Sequence, residues 1–345
     1  MRRLRFIVVL VVLWVAFGFG VNRFLDSRKS SLITHPSAGS PAQETPAFSL
    51  PGTIYLSQAG HLYRFHGGVF TDMGLVTADG SWVQPALATP GRLLVVARTA
   101  ASSDIYLVDA ASGAIIKKLT SNAARKPSQV ALNAWSFWPH LAADGSTVIF
   151  SYDGPKTGLT FEVHLAVWSG PITGKLEAKQ WTDPTAYTGG DVSPVPLADG
   201  GVLYAKYALN EKSQIVSRIA TVSKPGATPV YLTAAAADCA QPAVSPDGSQ
   251  LAVICTSDTQ TANLEIIPLV KGTAGVPRVL VSDCLCASPA WSPDGTSLLY
   301  LAPADATGHF QLWWLNHADT LVPAPPKQVT TDLDFDASSA PAWAA

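Results

Sequence analysis

Asp191, Asp238, Asp283 and Asp336 stand three to six residues ahead of Pro194, Pro242, Pro289 and Pro341, and those prolines belong to one series that recurs through the chain. If the fold brings the four carboxylates, with Asp334, to a common rim, they could hold a divalent cation such as calcium or the basic residues of a partner. Their mutual repulsion would raise some of their pKa values. The same acids also read as solvated loop residues or strand-start caps. Trp82 and Gln84 precede Pro85, Gln241 precedes Pro242, and Trp135, Phe137, Trp138 and His140 surround Pro139. Aromatic residues so placed offer contact area to a partner, a peptide or a sugar ring at low entropic cost, or else fill the space between packed sheets.

Other chemistry is thinly represented. There is no Gly-x-Ser-x-Gly elbow, no phosphate-binding glycine loop and no His-Glu-x-x-His. Asp144, Asp199, Asp247 and Asp294 recur beside glycine, and repetition at one address points to turn formation. His61 and His66 fall on opposite faces of a predicted strand, against a shared metal. Leu333-Asp334-Phe335-Asp336 lacks the glycine and terminal glutamate of a calcium loop. Of the four cysteines, Cys239 and Cys255 lie symmetrically about Asp247, so a disulfide between them is expected in an oxidising compartment. Cys286 holds the matching place in the next unit, but its partner position is Ala302. That leaves Cys284 and Cys286 to pair together, join Cys255 or stay free.

The elements that position these residues are repeats. Ser288-Pro289-Ala290-Trp291-Ser292-Pro293-Asp294-Gly295 and Gln241-Pro242-Ala243-Val244-Ser245-Pro246-Asp247-Gly248 each lead into an apolar run, with looser copies at Pro85, Pro139 and Pro194. Successive repeat prolines are 54, 55, 48, 47 and 52 residues apart, the period of an array of similar units. The Pro-Asp-Gly chemistry predicts an antiparallel hairpin, and two further strand-like runs complete four short strands per unit. The second strands, 93–97, 148–152, 202–205, 251–255 and 298–301, are apolar at consecutive positions. Such strands are buried on both faces.

Before Pro85 the sequence supplies only the later strands of a unit, 52–57, 61–66 and 69–74, while 340–344 repeats only the innermost strand. The two ends therefore complete one sheet and close a ring of six, removing the edge that a linear array would expose. The Pro-x-Trp-Ser-Pro-Asp-Gly signature resembles the WD40-like PD40 repeat of TolB-like six-bladed β-propellers, across roughly residues 48–345. The resemblance implies an all-β propeller of the kind that often serves as a cell-envelope platform for partner proteins; some relatives are propeller domains of peptidases. The globular N-terminal domain of TolB has no counterpart, so a role in the Tol system does not carry over.

Residues 1–25 read as an N-terminal membrane anchor or uncleaved signal: three arginines precede the apolar run 6–21, which continues past Arg23 to Leu25. A cleaved signal peptide is the rival reading, although Gly18-Phe19-Gly20 is a poor cleavage site. Both export the rest of the chain. Residues 26–47 form a Ser/Pro/Ala-rich linker, and 48–345 the propeller. Outside the first 30 residues the chain holds 17 basic and 24 acidic residues, against a nucleic-acid surface. The expectation is a single-pass membrane protein with a cytoplasmic N-terminus and an extracytoplasmic propeller, a binding platform for an envelope protein, a peptide or a small ligand. It needs no cofactor beyond a cation at the acidic rim. The alternative is a propeller hydrolase or lyase using those acids.

Overall fold

The computed structural model describes residues 50–75, 80–156, 163–256, 261–270, 272–304 and 308–345. The anchor and linker, 1–47, lie outside them. Among the described residues no helix is long and apolar enough to cross a membrane.

Six antiparallel sheets follow one another around an axis. Blade 2 runs outward as Gly80–Leu87, Arg92–Thr99, Ser103–Asp109 and Ile115–Lys118, and blade 3 as Ser136–Leu141, Thr147–Tyr152, Ala166–Pro171 and Lys179–Gln180. Blade 4 is Asp191–Pro196, Val202–Leu209, Ile215–Val222 and Val230–Tyr231. Blade 5 is Cys239–Val244, Gln250–Thr256, Ala262–Val270 and Thr273–Ala274, with Arg278–Cys284 also paired to its third strand. Blade 6 is Ala287–Trp291, Leu298–Pro303, Phe310–Leu315 and Lys327–Gln328.

Blade 1 joins the first and the last strands of the described residues. Its outer three strands are Thr53–Gln58, His61–His66 and Val69–Asp72, and its innermost strand is Ala342–Ala344, with Trp343 opposite Ile54 and Ala342 opposite Tyr55. The Trp343 indole donates to Pro51 O at 2.8 Å. Gly52, at φ 75°, lies so close to the Ala344 carbonyl that any Cβ would collide with it. Glycine is the residue that fits there.

Why the second strands are apolar at every position is visible in the six hydrophobic cores, one at each blade junction. Leu93, Val95 and Ala97 face the core shared with blade 1, while Leu94 and Val96 face that shared with blade 3. Likewise Leu251, Val253 and Cys255 point toward blade 4, and Ala252 and Ile254 toward blade 6. The remaining junctions are 3 with 4 and 6 with 1. Each sheet thus has two buried faces, and a strand inside it has no solvent side on which to place polar residues. Trp313 and Trp314 follow the same rule, one against the core of blades 5 and 6 and the other against that of blades 6 and 1.

The hairpin aspartates form turns. Asp144 accepts from the amides of Ser146 and Thr147, Asp199 from Gly201, Asp247 from Ser249 and Asp294 from Thr296. Hydroxyl donors, Thr147 to Asp144 and Ser245 and Ser249 to Asp247, together with these amides hold the two carboxyls down at about 2. A second periodic device sits at the outer edge: Thr120, Thr182, Thr233 and Thr330 each accept, at 2.9 Å, from a third-strand amide, those of Ile105, Val167, Ile219 and Leu312. Cys239 and Cys255 are directly opposed and bonded, and Cys284 pairs with Cys286, which resolves the alternatives left open by the sequence.

Candidate functional site: the central channel

Along the ring axis lies a cavity of about 870 Å3. All six innermost strands wall it, and its shape comes from one irregularity repeated five times. The residue immediately before each of the first five repeat prolines has a left-handed backbone: Gln84 at φ 54°, Trp138 at 49°, Ser193 at 51°, Gln241 at 50° and Ser288 at 52°. At each of these sites the pairing with the second strand slips, between Val83 and Ala86, Phe137 and His140, Val192 and Val195, Ala240 and Ala243, and Ala287 and Ala290. Proline has no amide to lose from the ladder, so a bulge is where a strand tolerates it. All five left-handed residues line the cavity, as do Pro85, Pro139, Pro242, Pro289 and Pro341.

The bulges carry a belt of hydrogen bonds from blade to blade. Gln84 N donates to Ser339 Oγ at 2.7 Å, Trp138 N to Gln84 Oε1 at 2.9 Å, and Ser288 N to Gln241 Oε1 at 2.8 Å. Ser288 Oγ donates to Ala337 O at 2.8 Å, and the Gln84 and Gln241 amides reach Ser338 O and Ala337 O at 3.4 Å. The 337–339 segment, on its way to the closing strand, thus ties blades 5, 6 and 2 together. Most of the rest of the wall is apolar, including Leu87, Leu141, Val192 and Val244, with His140, Thr188, Ser193, Tyr207 and Ser292 as further polar members.

Of the residues singled out from the sequence, Gln84, Trp138, His140 and Gln241 line this cavity. His140 borders it with no hydrogen bond to its ring among the described residues, and the surrounding protein pushes its pKa down to about 4. Its imidazole is therefore neutral near neutral pH.

The other aromatic candidates face elsewhere. Trp82 is 2 % exposed, packed edge-on to Tyr106 in the core of blades 1 and 2. Trp135 stacks on Phe137, which itself lies against the core of blades 2 and 3. Only Trp138 of that aromatic trio contributes to the channel wall, because alternate residues of a strand face opposite ways and the bulge redirects the third.

The acids do not come together. Asp191 is fully buried, its Oδ1 3.1 Å from Lys206 Nζ, and burial raises its pKa against the pull of that lysine. Asp238 accepts from the amide and hydroxyl of Ser217 at the joint of blades 4 and 5. Asp283 bonds Thr261, and Asp334 accepts from Phe310 N. Asp336 faces Arg98 at 3.5 Å and accepts from Ser338 N, shaping the turn that delivers the 337–339 segment to the belt. Strand starts need acceptors for loose amides, and aspartate supplies them. His61 and His66 have separate partners, Asp72 for the first, Thr53 and Gly52 for the second. Among the described residues no three His, Cys, Asp or Glu side chains meet as a metal site.

Ser193, Ser288, Ser338 and Ser339 were not picked out from the sequence. A signal for the first two existed: fixed register one residue before each repeat proline, rather than any acid within six.

No protein-family model matches the sequence, and no well-characterised protein matches it at the sequence level. Solved structures do resemble it. TolB from Acinetobacter baumannii superposes with a TM-score of 0.62 at 15% identity, over 86% of this chain and 67% of that one. A putative TolB from Agrobacterium tumefaciens gives 0.59 at 14% identity, over 85% and 94%. A puromycin-hydrolyzing peptidase from Mycobacterium tuberculosis gives 0.53 at 15% identity, with this chain spanning 46% of its length. A gluconolactonase from Xanthomonas campestris gives 0.51 at 12% identity, over 84% and 90%. At these identities the likeness is one of fold, and the fold is a TolB-like six-bladed propeller.

Proposed function

We propose that this chain is an extracytoplasmic binding platform, held at the membrane by residues 1–25, standing off on residues 26–47, and receiving an envelope protein, peptide or small ligand at the central channel. The observation that carries the reading is the channel itself: about 870 Å3, walled by all six blades, with no Asp, Glu, Lys or Arg side chain among its lining residues. Small-molecule and peptide sites have this character, mostly apolar with a few fixed polar groups. The carboxylate chemistry of the enzymatic alternative finds no support in where Asp191, Asp238, Asp283 and Asp336 lie. Export rests on the apolar run after three arginines.

Two measurements test the platform together. A periplasmic-type reporter fused after Ala345 is expected to be active, and the full chain captured from its own membranes after cross-linking is expected to retain a defined partner or ligand that the Trp138→Ala variant loses. An inactive reporter, or identical captures from both proteins, overturns the reading.

A further inference from the structure

The belt at the channel waist is complete on one side of the ring and open on the other. In blades 2, 3 and 6 the amide of the left-handed residue has a side-chain acceptor from a neighbouring blade or from the segment joining blades 6 and 1. The equivalent amides of blades 4 and 5, on Ser193 and Gln241, have no side-chain acceptor among the described residues. The sequence explains the gap. The residue one blade earlier is Trp138 in the first case, whose indole accepts nothing, and Ser193 in the second, whose side chain is shorter than the glutamine that reaches across elsewhere. Both residues sit outside the ladder register, on innermost strands whose free edge faces the axis. The innermost strands of blades 3, 4 and 5 lie side by side, so Trp138, His140, Ser193 and Gln241 belong to one sector of the wall.

We infer that this open sector is the ligand site of the channel, and that it takes a neutral, largely apolar molecule held through amide or ester carbonyl oxygens. The inference rests on the platform reading and gives it a ligand class. Ser193 and Gln241 share the backbone geometry of Trp138 and Ser288, whose amides meet a glutamine oxygen at the channel wall. A donor left there without one calls for an acceptor, and a carbonyl oxygen is a neutral one. The lining has no Lys or Arg side chain, so an anion would shed its hydration without compensation. The neutral His140 ring offers one donor and one acceptor, and Trp138 with the repeat prolines covers the apolar body. The cavity volume is that of sites for drug-sized molecules or short peptide segments.

The probe is prodan, a neutral naphthyl ketone, against the anionic dye anilinonaphthalene sulfonate, with isotope-labelled residues 48–345. This part is self-contained, since all six inter-blade cores are built from residues 50–343. Prodan is expected to bind saturably with blue-shifted emission, and the sulfonate at least about tenfold more weakly. Prodan should move the amide resonances of Ser193 and Gln241 and leave those of Gln84 and Ser288, which have acceptors already and lie outside the sector. Ser193→Trp copies into blade 4 the residue that blade 3 carries in the same backbone geometry, and should abolish binding with the unfolding midpoint retained. Should that variant not fold, the amide shifts decide alone. Equal binding of both dyes, or unmoved Ser193 and Gln241 amides, overturns the inference. If a partner is still captured in that event, the platform stands with its site elsewhere; if prodan binds as expected and no partner is captured, the channel site stands without the platform.

Discussion

The two halves of the channel waist have the same backbone and different side chains. On the side of blades 6, 1 and 2, glutamine and serine before the repeat prolines are used up in holding one blade to the next, and the 337–339 segment is part of the staple. In blades 4 and 5 the amides of Ser193 and Gln241 have no side-chain acceptor among the described residues, since the residues one blade earlier are Trp138 and Ser193. Identical bulges therefore serve cohesion where a glutamine precedes them by one blade and leave the amide without a side-chain acceptor where none does. A repeat protein can divide labour in this way because the ring supplies rigidity from six separate cores, and no single bulge is indispensable to it.

The sharpest break of the comparison is at the closure. Trp343→Ala removes a buried indole and its bond to Pro51, and should cost about 3–5 kcal/mol in urea unfolding. On the open side, acid should act through His140. Its folded pKa of about 4 lies below the ordinary value of 6.5, so the folded state binds fewer protons between the two. Stability is undiminished by this group above pH 6.5 and falls as pH drops toward 4, by up to about 3 kcal/mol, an upper bound because the ring borders a cavity able to admit water. Urea titrations at pH 7 and pH 4 should show the loss, and His140→Gln should remove most of it; an imidazole titrating near 6.5 would contradict this.

The direct contrast of the two arcs is smaller. Gln84→Ala leaves the Trp138 amide without its acceptor and should cost about 1–3 kcal/mol, whereas Ser193→Ala should stay within about 0.5 kcal/mol. Equal losses would mean that the arcs do not differ. Least of all, the hairpin turns should respond only to strong acid. Asp247 is held at about 2, so its contribution is present above the unfolded value near 4 and lost as pH falls through about 2. Asp247→Asn should flatten that last part of the melting-temperature curve slightly.

The ring was legible because its cause is local and repeated. Prolines at a near-constant period, Pro-Asp-Gly corners and unbroken apolar runs all report on sheets packed face to face, and the half-unit at each end reports the closure. The predicted strands 52–57 and 61–66 lie within a residue of Thr53–Gln58 and His61–His66. The threonines at 120, 182, 233 and 330 recur once in each of four blades, each following a hydrophobic residue, and went unread because their spacing is less regular than that of the prolines and a lone threonine carries no chemistry of its own. The channel was harder. A φ reversal before proline has no composition signature, since glutamine, tryptophan and serine all occupy it here. Nor does a carboxylate near a strand start announce whether it will face an axis, a lysine such as Lys206, or the amide of Ser217. Direction at a bulge is set by tertiary packing.

Because Ala342–Ala344 completes the sheet begun at Thr53, the earliest-made strand of the propeller must wait for the latest. Until residues 342–344 are made, the sheet begun at Thr53 lacks its innermost strand and the ring is an unsealed arc with a bare sheet flank. Sealing of the ring is thus gated by one short strand, and a polypeptide halted before it would keep an open edge available for pairing.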